Sequence, residues 1–158
     1  MTRIMFVCHG NICRSPTAEF VFKDIVARHG LSDEFYISSS ATSTEEIWNG
    51  VGNPVYPPAR DELERHGIFC GGKTAVLLKR SDCQLYDLFI GMDGANIRNM
   101  QRILGSGSEE KIHRLMEYTD RDGDVSDPWY SGRFDVAYRD IFDGCCGLFT
   151  LLTGTETK

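Results

Sequence analysis

The sequence predicts an α/β fold: a four-stranded parallel sheet flanked by helices on both faces, in one domain over residues 1–158. Three observations predict it. Short apolar runs alternate with segments of helical periodicity, which implies parallel pairing and right-handed crossovers. No internal repeat, linker or low-complexity tract interrupts that alternation. A chain of 158 residues, 41% hydrophobic and 25% charged, has the size and make-up of one soluble globular unit.

The elements follow in order. Arg3 to Val7 reads as the first strand. Ser15 suits a helix N-cap and Pro16 a first helical position. Ala18, Val21, Phe22 and Ile25 then form one apolar face, and Gly30 ends the helix. Phe35 to Ser39 reads as the second strand, and Asn53 to Pro58 as a proline-punctuated loop. A short helix starts near Pro58 and stops at Gly67, with Ala59, Leu63 and His66 on one face. Leu85 to Met92 is the third strand. A helix with Ile97, Met100 and Leu104 on one side follows, then a fourth strand from Lys111 to Met116. Glu117 to Gly132 is polar and rich in Gly and Asp, hence loop. From Phe134 to Leu152 the apolar residues keep a 3.6-residue period, the clearest helix of the chain. Open parallel sheets bind ligands at the carboxyl ends of their strands. Cys8, Ser39, Asp93 and the loop carrying Asp127 all follow strand ends, so they should gather on one edge.

The net charge is -6, which argues against a nucleic-acid partner, since phosphate backbones are bound by basic faces. The apolar run at the N-terminus, Ile4 to Val7, is only four residues, too short for a signal-peptide core. No stretch approaches the length of a membrane span, so no membrane partner is expected. The six cysteines then read as reduced thiols in a cytoplasmic setting.

Residues 8 to 15, CHGNICRS, lie between a strand and a helix N-terminus. Successive backbone N–H groups in such a turn point at one anion. Gly10 and Asn11 tolerate the left-handed backbone that a tight cradle needs. Arg14 offers a planar fork for two phosphate oxygens. Cys8 sits at the mouth of the same nest, where amides, helix dipole and Arg14 stabilise a thiolate. Cysteines in such places have pKa values of roughly 3.5–7.5 and act as nucleophiles. Ser15 is placed to donate a hydrogen bond to the sulfur. A buried strand-end cysteine beside a surface arginine is the bland alternative; the strand before, the helix after and Gly-Asn inside favour chemistry. Ester cleavage also needs a proton for the leaving oxygen, and one carboxyl group can act as acid and then as base. Asp120, Asp122, Asp124 and Asp127 are candidates. Asp127 stands out because Pro128 restricts its backbone and Trp129 and Tyr130 follow as possible pocket walls.

CHGNICRSP after an N-terminal strand, with SSSATS, RHGI, GMDGAN and DPWY in that order, closely resembles the low-molecular-weight protein tyrosine phosphatases. The resemblance covers nearly the whole chain. It implies a flavodoxin-like sheet, no metal and no cofactor. It implies Cys8 as nucleophile, Arg14 as phosphate clamp and Asp127 as general acid and then base. The amides of His9, Gly10, Asn11, Ile12, Cys13 and Arg14 would hold the phosphoryl oxygens. Asn11, Ser15, Ser39 and His66 would form a supporting network, and Asp93 would border the site and orient Arg14. Trp48, Trp129 and Tyr130 would line the entrance for a flat aryl group. Cys13 would be the redox partner of Cys8 in a protective disulfide. The partners implied are phosphotyrosine proteins or small aryl phosphates, with inorganic phosphate as product.

Two other readings use the same scaffold. An arsenate reductase would need resolving thiols, for which Cys70 and Cys83 are available, but DPWY favours ester cleavage. A non-catalytic phosphate-binding module would not need nucleophile, clamp and proton donor together. Gly67 to Thr74 fits the nucleotide-binding pattern G-x-x-x-x-G-K-[ST]. That motif requires a strand before it and a helix after it, and here a helical segment precedes it. Asp120, Asp122 and Asp124 echo a calcium loop, yet Val125 stands where glycine is required.

Overall fold

The computed structural model describes residues 1–157. Its elements are β1 (Thr2–Cys8), α1 (Arg14–Arg28), β2 (Phe35–Ala41), β3 (Ile47–Trp48), β4 (Val51–Gly52), α2 (Pro57–Arg65), β5 (Leu88–Gly91), α3 (Gly94–Leu104), β6 (Ile112–Arg114), α4 (Pro128–Ser131) and α5 (Phe134–Thr153). Strands β2, β1, β5 and β6 form a four-stranded sheet in that order, and every pairing is parallel. The predicted α/β architecture is therefore the observed one.

β1 is buried without interruption from Ile4 to Cys8 because it has a neighbour on each side and helices over each face. Its alternation assigns the two halves of the core. Ile4, Phe6 and Cys8 face the larger cluster, built with Ala18, Phe22 and Ile25 of α1 and Ile141, Leu148 and Phe149 of α5. Met5 and Val7 face the smaller cluster, with Phe89 of β5 and Met100 and Leu104 of α3. Phe22 is the aromatic hub, with Phe6, Phe35 and Phe149 at ring-centroid distances of 5.9, 5.6 and 6.4 Å. No helix among the described residues is long and apolar enough to cross a membrane.

Several boundaries differ from the sequence expectation, each for a local reason. The third strand starts at Leu88 instead of Leu85, because Arg80–Gln84 wind into a 3-10 turn that ends with Leu85 N–H donating to Asp82 O. The fourth strand stops at Arg114, where Leu115–Tyr118 turn as another 3-10 helix. The hairpin β3–β4 and the single helical turn α4 have no counterpart in the sequence expectation. Both are too short to show a periodicity.

α5 crosses very close to the Leu115–Tyr118 turn. A Cβ built on Gly147 would lie 1.9 Å from the Tyr118 carbonyl oxygen, and one on Gly144 would lie 2.5 Å from Leu115 Cγ. Glycine inside a helix costs about 1 kcal/mol of propensity relative to alanine. At Gly147 that cost is outweighed by the contact it permits. Gly147→Ala should therefore destabilise the protein by roughly 1–3 kcal/mol. At about 2–4 °C per kcal/mol for a chain of this size, thermal unfolding should show a lower Tm. A raised Tm would mean that α5 does not sit against this turn.

Candidate active site

The chain leaves β1 at Cys8 and enters α1 at Arg14, and the turn between them is fixed by Asn11. Asn11 has φ +59°, the left-handed conformation that asparagine tolerates. Its backbone N–H thereby points back and donates to Cys8 Sγ at 3.3 Å. Its side chain, wholly buried, donates from Nδ2 to Ser15 Oγ at 2.7 Å and to Ser39 Oγ at 3.0 Å. Its Oδ1 accepts from Val76 N–H at 3.1 Å. Ser15 Oγ lies 3.0 Å from Cys8 Sγ. Because this oxygen already accepts from Asn11, its own proton is directed to the sulfur whenever the sulfur is a thiolate.

Ser15 therefore does not cap α1. The helix begins at Arg14, its N-cap is Cys13, and no side chain caps it. The serine hydroxyl is committed to the thiol. The N-terminal turn, which also has no acidic residue, leaves its positive end uncompensated where Cys13 and Arg14 line the pocket.

The hydrogen-bond chain runs on past Ser39. Ser39 Oγ donates to Glu19 Oε1 at 2.5 Å. Glu19 is buried and accepts from Lys23 Nζ at 2.6 Å, and Lys73 Nζ lies 3.6 Å away. Lys73 also donates to Ser39 O at 3.0 Å. Burial lowers the Lys73 pKa while Glu19 acts to raise it; the net direction is down. Glu19 and Lys73 escaped the sequence reading. The available signal was a carboxylate on the otherwise apolar inner face of α1, four residues after Ser15. The pattern from Gly67 to Thr74 has its lysine committed to this contact. α2 ends at Arg65, just before Gly67, and the residues after the pattern are extended rather than helical.

His66 takes no part in this network. It ends α2, is 43% exposed at its side chain, and its Nε2 lies 3.0 Å from Glu62 Oε2. Its ring stacks on Tyr138 with centroids 3.8 Å apart and an interplanar angle of 3°. The helix turns His66 toward α5 and away from the sheet edge, which corrects the expectation that it joins Asn11, Ser15 and Ser39.

Arg14 is buried and held from three sides. Nη2 donates to Asp93 Oδ2 at 2.8 Å, Nη1 donates to the Val125 carbonyl at 3.1 Å, and Asp127 Oδ2 lies 3.7 Å from Nη2. Burial opposes its charge, but Cys8, Asp93 and Asp127 outweigh that cost and raise its pKa further. Asp93 is positioned by its own helix: it caps α3, accepting from Asn96 N–H at 2.8 Å through Oδ1 and leaving Oδ2 for the guanidinium. Asp127 does the same for α4, accepting from Trp129 N–H at 3.0 Å through Oδ1 and leaving Oδ2 to face the pocket. Pro128 occupies the first position of that turn, where its missing N–H costs nothing. Asp124, one of the other acidic candidates, accepts from Gly94 N–H and lies 3.5 Å from Arg114.

Cys8, His9, Gly10, Ile12, Cys13, Arg14, Asp93, Asp127, Trp129 and Tyr130 line one open cavity of about 430 Å³, together with Glu45, Glu46 and Asn96. Tyr130 is 87% exposed at its rim, and Trp129 leans on Tyr56 with centroids 5.1 Å apart. Trp48 does not line the cavity. It is 79% exposed on β3, and the preceding Glu45 and Glu46 occupy that side of the mouth. The difference follows from the β3–β4 hairpin, whose Gly52 packs on the Ala75 backbone, where a Cβ would lie 1.9 Å from the carbonyl oxygen. All six cysteines are free thiols. Cys13 has its pKa pushed up to about 12, first by burial and then by Cys8 and Asp127, so it stays a neutral thiol at neutral pH.

Comparison with known proteins gives the family and the fold. Residues 3–156 match the family model described as low molecular weight phosphotyrosine protein phosphatase. The chain is 36% identical over 147 residues to the low molecular weight protein-tyrosine-phosphatase YfkJ of Bacillus subtilis, covering 92% of each chain. It is 35% identical over 151 residues to the low molecular weight phosphotyrosine protein phosphatase of Rattus norvegicus, again over 92% of each. The crystal structure of YfkJ superposes with a TM-score of 0.91 at 33% identity, covering 98% of this chain and 96% of that one. That of SP-PTP, a low molecular weight protein tyrosine phosphatase from Streptococcus pyogenes, gives 0.85 at 35% identity, covering 97% and 94%. The chain belongs to the low-molecular-weight phosphotyrosine protein phosphatase family, the hydrolase class that its end motifs resemble.

Proposed function

We propose that the protein hydrolyses phosphotyrosine in proteins, and small aryl phosphates, through a phosphocysteine on Cys8. The observation that carries this reading is the convergence on one sulfur of the Asn11 N–H and the Ser15 hydroxyl, with Arg14 and Asp127 in the same cavity.

The substrate phosphate lies over the N-terminal turn of α1, its oxygens taken by the amides from His9 to Arg14 and by the Arg14 fork. The Cys8 thiolate attacks phosphorus in line. The bond to the aryl oxygen breaks as Asp127 delivers a proton to that oxygen, so the phenol leaves neutral. Charge on the equatorial oxygens meets N–H dipoles and guanidinium that are already in place, which is where most of the rate enhancement arises. Water then attacks the phosphocysteine and gives its proton to the Asp127 carboxylate. The P–S bond breaks, the thiolate returns to the hydrogen bonds from Ser15 and Asn11, and inorganic phosphate departs. Asp93 acts as a positioning residue for Arg14 in this scheme. Trp129 and Tyr130 supply the aromatic wall for the flat leaving group. Cys13 lines the same cavity, so a disulfide with Cys8 is the protective form we assign to oxidised enzyme.

The arsenate reductase reading lacks geometric support from its resolving thiols. Cys70 and Cys83 belong to different core clusters, and neither lines the cavity.

Cys8→Ser should reduce turnover of an aryl phosphate to background while a phosphotyrosine peptide still binds. Rapid acid quench of the wild type during turnover should trap phosphorus on Cys8. Steady hydrolysis with no phosphorus on that sulfur would exclude the mechanism.

Asp127→Asn should slow phenyl phosphate roughly 10²–10⁴-fold, the usual worth of a general acid. Esters whose leaving group needs no proton should lose far less in the same step. Equal losses across a series of phenols would remove Asp127 from the acid role.

A further inference from the structure

We infer that a basic groove beside the catalytic cavity binds acidic side chains that flank the phosphotyrosine of a peptide substrate. The inference rests on the phosphatase reading above and adds the class of substrate. The groove holds about 680 Å³ between the end of α3 and the segment leading from Leu77 into the Arg80–Gln84 turn. Lys79, Arg80 and Arg102 line it, and no carboxylate does. None of these three cations takes part in an ion pair among the described residues.

On a chain of net charge -6, three unpaired cations around one concavity are a local exception. Their position gives the exception a direction. His9 and Asn99 line the groove, and His9 also lines the catalytic cavity, so the two share a wall. On the cavity side of that wall stand Glu45 and Glu46, with Glu45 Oε2 3.0 Å from His9 Nε2. A peptide with its phosphotyrosine over Cys8 meets the carboxylates of Glu45 and Glu46 inside the cavity and cations in the groove beyond the shared wall. Acidic residues are repelled by the first and attracted by the second. Arg80 is positioned by packing, since its guanidinium lies over Gly105, where a Cβ would meet it at 2.8 Å. Lys79 and Arg102 are exposed, which makes them removable without touching the core.

The test measures kcat/KM for four substrates: phenyl phosphate, a phosphotyrosine peptide with neutral flanks, and the same peptide with three aspartates on its N-terminal or its C-terminal side. For the wild type, one aspartate peptide should exceed the neutral one by roughly three- to tenfold, the scale of two or three exposed ion pairs. The gain should lie in KM and shrink as salt is raised. Lys79→Ala with Arg102→Ala should abolish the gain and leave the neutral peptide and phenyl phosphate unchanged. Lys79→Glu with Arg102→Glu should reverse it, the favoured aspartate peptide falling below the neutral one. Equal rates on all three peptides, or a preference that survives both double variants, overturn the groove alone. Failure to hydrolyse phenyl phosphate overturns the phosphatase reading and the groove with it.

Discussion

The left-handed backbone of Asn11 is the constraint on which the site depends. One residue in this conformation turns the chain from strand to helix within a few positions and aims its own N–H at the sulfur of Cys8. The same residue's side chain ties the turn to Ser15 of α1, to Ser39 of β2 and to the Val76 backbone. Any β-branched residue at this position would resist the φ value, and any apolar residue would strand the Val76 N–H and take one hydrogen bond from each serine hydroxyl. Backbone geometry and buried polar satisfaction are thus met by one side chain. A cradle of amides holds its shape without an anion only if such a constraint exists, because its N–H groups repel one another.

The second requirement is electrostatic. A buried guanidinium is costly unless its hydrogen bonds and charge are answered. Here Asp93, at the start of α3, and the carbonyl of Val125, in a loop whose own N–H is tied to the Met92 carbonyl, answer them. Asp93 and Asp127 each use one carboxylate oxygen to cap a helix and keep the other for Arg14 or the pocket. Capping commonly contributes about 1 kcal/mol. The site therefore adds to the stability of α3 and α4 while it orients its own charged groups, and the usual opposition between site and stability is reduced at these two residues. On the proposed reading, an acidic protein presents a phosphate site on this basis, since the positive potential inside the cavity itself comes from one guanidinium and one helix end.

Much of this was legible in the sequence, and the parts that were not share a cause. The sheet, its flanking helices and the gathering of Cys8, Asp93 and Asp127 follow from periodicity and from the strand-end rule, which depend on long stretches of chain. The motif CHGNICRS, set between a strand and a helix, announced the cradle because each residue type there answers a local need. Contacts between distant segments were invisible. Ser15 reads in the sequence both as a cap and as a donor to the Cys8 sulfur, and the fold keeps only the second role. His66 shared a face with Ala59 and Leu63, but a helix end a fraction of a turn further on points at Tyr138. Glu19 and Lys73 meet across more than fifty residues of sequence, and their pairing has no local signature. Trp48 was placed at the entrance by analogy, whereas a hairpin of two-residue strands carries it elsewhere.

The division between chemistry and selectivity follows the same line. Cys8, Arg14, Asp93 and Asp127 are all set by the termini of helices or strands, where a shift of one residue would break a cap or expose a charge. The residues around the mouth answer to weaker demands. Tyr130 stands largely in solvent, and the exposed Glu45 side chain pairs with the half-exposed His9. Substituting them costs the fold little. The residues proposed for the reaction thus lie in the strongest structural signals of the chain, and those of the rim in the weakest. On the proposed reading, a rigid centre with a replaceable rim lets one chemistry serve different phosphoproteins.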